Sequence, residues 1–105
     1  GWPIEEHAVG TVVFRWPHDA AGRGYNQLPY RMLLPQGVDN LLVAGRCASM
    51  THLGQSAARV SGACFVMGQA AGTAAALAQQ AGMRVRDLDV SVLQVRLEAG
   101  GAWLG

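Results

Sequence analysis

The feature that most constrains the fold is a proline-free run rich in alanine and glycine, from about Arg59 to Ala81. Alanine is the best helix former and proline the strongest breaker, so the run reads as one helix. At 1.5 Å per residue it would be about 33 Å long. Gly82 stands where a C-terminal capping glycine belongs. Gly62, Gly68, Ala71, Gly72 and Ala75 recur at three- and four-residue spacing and share one face. A face without large side chains lets another backbone come close, so the helix is expected to pack against a neighbour. Gly68-x-x-x-Gly72 is also the pattern of a dimerising transmembrane helix, and Ala57 to Ala78 is long enough to span a bilayer. Arg59 and Gln69 interrupt that stretch, and alanine and glycine add little transfer energy. A soluble neighbour, not a membrane, is the expectation.

Ahead of this helix, Gly10 to Trp16 holds β-branched and aromatic residues in a short run, which reads as a strand ended by Pro17. His18 to Asn26 is a loop by its glycines and polar residues. Leu28 to Leu34 reads as a second extended segment, closed by Pro35-Gln36-Gly37, and Asp39-Asn40 as a turn. Leu41 to Ala44 is apolar without alternation, the pattern of a central parallel strand buried on both faces. A polar, glycine-bearing loop is expected from Gly45 to Ala58. After the long helix, Val90 to Ala99 reads as a short helix with Leu93 and Leu97 inward, ended by Gly100-Gly101. The order is strand, strand, buried strand, loop, long helix, short helix, an α/β arrangement. Three sections are expected: a strand and loop segment over 1–38, a strand–loop–helix unit over 39–82, and a helical tail over 83–105.

Composition narrows the function. The chain of 105 residues is half hydrophobic, 14% charged and of mean hydropathy +0.16, too apolar for disorder. Its 14 glycines are nearly twice the usual share of about 7%, which points to close approach of backbone to something. All eight basic residues are arginine, and with seven acids the net charge is +1. No basic stripe exists, which argues against nucleic acid. Cys47 and Cys64 form no Cys-x-x-Cys, and no His/Cys cluster has metal-ligand spacing; both cysteines are expected to be reduced, buried small hydrophobes. The first six residues carry two acids and no apolar run, so no secretory leader is expected there and a cytoplasmic setting is.

A buried strand feeding a loop and then a helix start is the arrangement α/β proteins use for anionic ligands, which sit at the carboxyl ends of the strands. The unpaired N–H groups of the first helical turn carry partial positive charge. The ligand-facing candidates are Gly45, Arg46, Arg59 and the backbone N–H groups of Val60 and Ser61. The plain alternative is a helix that only packs on a sheet. Arg46, directly after a buried strand, needs a paired anion such as a pyrophosphate or a carboxylate. Arg31 suits either a ligand anion or an ordinary ion pair. His52 suits proton transfer or a structural hydrogen bond; His18 reads as solvated, and His7 has no evident role. Gly54-Gln55-Ser56-Ala57-Ala58 lacks the last glycine of a hydrolase nucleophile elbow, so hydrolysis is not expected.

Two segments, PYRMLLPQGVDNLLVAGRC and ARVSGACFVMGQAAGTAAALA, together resemble the C-terminal FAD-binding signature of the FAD-dependent oxidoreductases, in the bacterial group related to fumarate reductase and succinate dehydrogenase flavoproteins. The resemblance runs from about Tyr25 to Ala81 and continues more weakly into the last helix. It implies a Rossmann-like, glutathione reductase-type fold, with FAD as cofactor. In that family a Gly-x-Gly-x-x-Gly loop holds the ADP part, and the C-terminal strand and helix return to the isoalloxazine. The resemblance places Ala44, Gly45 and Arg46 by the ribitol and pyrophosphate, and Arg59, Val60 and Ser61 under the pyrimidine edge. It also gives Arg59 a substrate carboxylate to bind and leaves His52 as a candidate proton donor. The sequence departs from the family in having Ser56-Ala57-Ala58 where relatives carry Gly-Ser, Gly62 where they often carry proline, and no Gly-x-Gly-x-x-Gly. The expectation is therefore the C-terminal portion of a flavoenzyme acting on a small molecule, inactive without the N-terminal FAD-binding part. The rival is a non-catalytic packing module whose small-residue helix face makes a homo-oligomer.

Overall fold

The computed structural model describes residues 2–16 and 24–105. Strands β1 (Ile4–Ala8) and β2 (Thr11–Arg15) are followed by helices α1 (His52–Ala58), α2 (Ser61–Ala81) and α3 (Val90–Ala99), with single 3-10 turns at Tyr30–Leu33, Gly45–Cys47 and Val85–Asp87. The molecule measures 52 × 30 × 22 Å with a radius of gyration of 15.2 Å, longer than the roughly 13 Å of a compact chain of similar length.

Helix α2 is the spine. Val60 precedes it in an extended conformation, and Gly82 ends it at φ 64°, a left-handed conformation that glycine adopts without steric penalty. The Met83 N–H reaches back to the Ala78 carbonyl at 3.0 Å, closing the last turn as sequence analysis expects of a capping glycine. The face turned inward is Met67, Ala74 and Ala78. Gly62, Gly68, Gly72 and Ala75 are exposed, and a Cβ added at Gly62, Gly68 or Gly72 would meet nothing within 4 Å. Of the small-residue face only Ala71 packs on the core, and the rest is open: hydrophobic burial follows apolar area, and Met67 brings more than the glycines do. By length and composition α2 is also the one described helix able to cross a membrane.

Two apolar clusters lie along α2. One gathers Met32, Leu33, Ala48 and Met67, the other Ala74, Leu88, Leu93 and Leu97. Tyr30, Leu42 and Ala70 touch both. Helix α3 forms over the expected span, with Leu93 and Leu97 buried. Its start is capped by Asp89, whose carboxylate accepts from the Ser91 N–H at 2.9 Å and the Ser91 hydroxyl at 2.8 Å. The Tyr30 hydroxyl donates to the Val85 carbonyl at 2.7 Å, and burial raises its pKa. Arg86 donates to the carbonyls of Pro35 and Val38 and pairs with Asp39. These contacts fasten the C-terminal section to the 30–39 segment.

Several expectations are corrected. Leu28 to Leu34 is not an extended strand: Tyr30–Leu33 turns in a 3-10 helix. Leu41 to Ala44 forms no strand and is not buried on both faces; Leu41 is 47% exposed. A strand needs a neighbour to complete its ladder, and among the described residues none lies beside this segment, which makes one cross-bond, Val43 N–H to the Leu33 carbonyl at 2.9 Å. The sheet that does form is antiparallel, β1 with β2, paired Ile4 to Arg15 through Ala8 to Thr11. β2 lies where a strand is expected; β1, with its polar Glu5-Glu6-His7, is not foreseen. Gly10 at φ 77° makes the tight turn between them. The expected loop from Gly45 to Ala58 contains a 3-10 turn and α1, whose start is capped by Thr51 Oγ1 accepting the Gly54 N–H at 3.0 Å. Cys47 is exposed and Cys64 half-buried, both unpaired; the buried expectation fails for Cys47. His18 lies outside the described residues.

Two predictions test this packing. Met67 is 1% exposed, so Met67→Ala should lower unfolding free energy by about 2–5 kcal/mol; an unchanged urea midpoint would remove Met67 from the core. The Asp89 carboxyl is held below the ordinary 3.8 by hydrogen bonds from Ser91, first its hydroxyl and then its N–H. A depressed carboxyl stabilises fully above that ordinary value and loses its contribution as pH falls through the lower folded value. Asp87, lowered chiefly by its hydrogen bond from Arg84, acts in the same sense. Acidification below 3.8 should therefore lower the urea midpoint of the wild type more than that of Asp89→Asn, which keeps a capping oxygen but does not titrate. Parallel pH curves for the two proteins would contradict the assignment.

Candidate functional site

β1, the Gly45–Cys47 turn, α1 and α2 meet where α1 gives way to α2. The Gly45–Cys47 turn packs on α2. Gly45 holds φ 76°, and a Cβ on it would lie 3.8 Å from Cys64 Sγ, an ordinary contact. The backbone angle, not lack of room, is therefore what calls for glycine. Arg46 Nε–H donates to the Arg59 carbonyl at 3.1 Å, and Gln55 Nε2 donates to the Arg46 carbonyl at 3.4 Å. The Cys64 thiol donates to the same Arg59 carbonyl at 3.6 Å, and the Cys47 thiol to the Ala44 carbonyl at 3.0 Å. Ala44, Gly45, Arg46, Arg59, Val60 and Ser61 are thereby brought together, across 13 residues of chain between the two arginines.

The charged groups of this cluster are engaged. The Arg59 guanidinium pairs with Glu5 of β1, whose side chain is 16% exposed. Arg59 caps the end of α1 and does not enter α2, contrary to the expected helix start. His52, the first residue of α1, is exposed and stands on a helix, not in the expected loop. The start of α2 is open: Val60 gives no side-chain cap and no acid lies in the first turn. Ser61 and Gly62 are exposed, with empty space before the Gly62 Cα. Unpaired N–H groups there carry partial positive charge and suit an electron-rich acceptor. This donor set fits the pyrimidine side of a flavin.

A separate cavity of about 800 Å³ lies between β1, the 26–36 segment and α1. Asn26, Arg31, Met32, Met50, Thr51 and Arg86 are among the residues lining it. Of the sequence-derived candidates Arg31 opens onto it, whereas Ala44, Gly45, Arg46, His52, Arg59, Val60 and Ser61 do not, although Ala57 and Ala58, just before Arg59, form part of its wall. A smaller apolar recess of about 110 Å³ between Tyr30, Met67, Leu93 and Leu97 belongs to the core. Sequence reasoning missed Glu5 and Thr51. Glu5 had no local signal, since its partner is 54 residues away; Thr51 did, as a hydroxyl residue ahead of a helical stretch. Among the described residues no cluster of His, Cys, Asp or Glu could hold a metal ion.

No curated protein and no solved structure gives a significant match. The family model described as FAD dependent oxidoreductase matches residues 1–97, nearly the whole of the 105. FAD is the cofactor that this family implies. The chain belongs to the FAD dependent oxidoreductase family.

Proposed function

We propose that the chain is the C-terminal portion of a flavin-dependent oxidoreductase. In this reading it closes the FAD site at the pyrimidine edge of the isoalloxazine, lines the pocket of a small organic substrate, and is inactive alone. The observation that carries the reading is the uncapped start of α2, open to empty space, beside a positive-φ glycine. Bound FAD supplies the exchange of electrons or hydride with the substrate, and the protein supplies orientation and charge.

Ala44, Gly45 and Arg46 hold the ribityl and pyrophosphate region, where the Gly45 turn lets backbone approach closely. The Val60 and Ser61 N–H groups and Arg59 face the pyrimidine edge, and Arg59 supplies positive charge there. Glu5 fixes the Arg59 side chain until an anionic group competes for it. His52 stands exposed at the start of α1, on a turn held by the Thr51 cap, and carries protons to or from the substrate pocket. No Gly-x-Gly-x-x-Gly occurs in the sequence, so the ADP end of FAD falls to an N-terminal part of the protein with a Rossmann-like fold. The free thiols of Cys47 and Cys64 suit a reducing, cytoplasmic setting.

A second reading, a packing module that forms homo-oligomers without catalysis, has in its favour the open surface over Gly68 and Gly72 and the 77% exposure of Phe65. Flavin separates the two. In the intact protein, Gly62→Asp places an acid in the first turn of α2, which favours the helix by its dipole but repels an electron-rich flavin. The expected result is an unchanged or raised melting temperature, about tenfold weaker FAD retention and a lower flavin reduction potential, with Gly62→Ala close to wild type. Wild-type retention and potential in Gly62→Asp would show that this end of α2 does not face the flavin.

A further inference from the structure

The cavity of about 800 Å³ carries an asymmetry of charge. Arg31 and Arg86 both line it, and no Asp or Glu does among the described residues. The two arginines differ in what satisfies them. Arg86 is met by Asp39 at 3.3 Å and by the carbonyls of Pro35 and Val38. The Arg31 guanidinium has no hydrogen-bond or ion-pair partner among the described residues. It stands on the 3-10 turn Tyr30–Leu33, whose Met32 and Leu33 are buried, so the turn that carries it is set by the core.

We infer that this cavity binds a small organic carboxylate and that Arg31 recognises the carboxylate group. A guanidinium presents a planar fork that matches a carboxylate in two parallel hydrogen bonds. The Thr51 hydroxyl on the same wall accepts from the Gly54 N–H, which leaves its own hydrogen to donate to an anion. Gln27 and Gln36 add amide donors, while Met32, Leu34 and Met50 give an apolar wall for the rest of the molecule. The volume falls within the roughly 300–1,000 Å³ typical of small-molecule sites. Arg59, by contrast, does not line the cavity and is paired with Glu5, so the carboxylate is read by Arg31. That this carboxylate is the substrate's rests on the flavoenzyme reading above.

The test uses the intact flavin-loaded protein with benzoate as probe and the uncharged benzamide as control, followed by titration calorimetry. Benzoate should bind the wild type and benzamide at least tenfold more weakly. Arg31→Met should lose benzoate affinity at least tenfold, and Arg31→Lys should recover part of it by charge. Circular dichroism of both Arg31 variants should be unchanged, since Arg31 is exposed. Equal binding of benzamide, no binding of benzoate by the wild type, or undiminished binding by Arg31→Met would each overturn the inference. Visible flavin absorbance of the same samples keeps the two questions apart. A wild type without flavin that still binds benzoate through Arg31 would defeat the flavoenzyme reading and leave this site standing.

Discussion

The structure depends on how closely other segments can approach one side of α2. Met67, Ala74 and Ala78 are buried at 1%, 0% and 2% exposure, at spacings of seven and four residues, so they form one stripe down the helix. Ala74 leaves the room that Leu88, Leu93 and Leu97 fill; a larger side chain there would drive α3 outward, since a packed interior has no slack. One rigid element therefore holds α3 at one end and, through Met67, the Met32–Leu33 turn and Ala48 at the other. The start of α2 and the Arg31 turn are set relative to each other by that shared packing, which is why loops that look loosely connected in sequence sit in fixed relation.

Ion pairs add orientation more than stability. Exposed pairs are worth about 0–1 kcal/mol, and the Arg84, Arg86, Asp39 and Asp87 group lies at the surface. Its value is geometric, because it holds the 35–39 turn against the C-terminal section. Glu5 with Arg59 does the same for the hairpin. Two-stranded hairpins are marginal by themselves, and this one rests on α1 and on that pair. Every residue of β2 is exposed, Val12, Val13 and Phe14 included. An apolar two-stranded surface left open is a place where the chain does not cover itself.

What the sequence made legible was local. The alanine-rich, proline-free run, the capping glycine and the inward leucines give α2 and α3 directly, because each signal lies within the element it defines. The Leu41–Ala44 strand was misread because an apolar tetrapeptide states a demand for burial without naming a partner, and a ladder is made by two strands. Helix α1 was read as loop although Thr51 signals its start; seven residues with a glycine inside outweigh that cue by propensity. At the site, Gly45, Arg46, Arg59, Val60 and Ser61 were found together because the turn and the helix start are close in sequence. Glu5, 54 residues from Arg59, is a tertiary fact that no window along the chain contains. Arg31 was visible as an arginine near a proline, but the lack of a partner, which gives it meaning, exists only in three dimensions.

Helix α1 relates the two positive centres. Its buried alanines, Ala57 and Ala58, face the cavity that Arg31 lines, and the next residue, Arg59, turns its carbonyl to Arg46 at the start of α2. In the proposed reading α1 stands between the carboxylate cavity and the flavin-facing start of α2, and its two adjacent alanines put only small side chains on the cavity wall. Gly54 serves the same end one turn earlier: a Cβ there would come within 3.2 Å of Thr51 Oγ1, crowding the hydroxyl that caps the helix and lines the cavity. The placement of both centres thus follows from one short helix whose start is held by a single hydroxyl and whose last residues, two alanines, line the cavity.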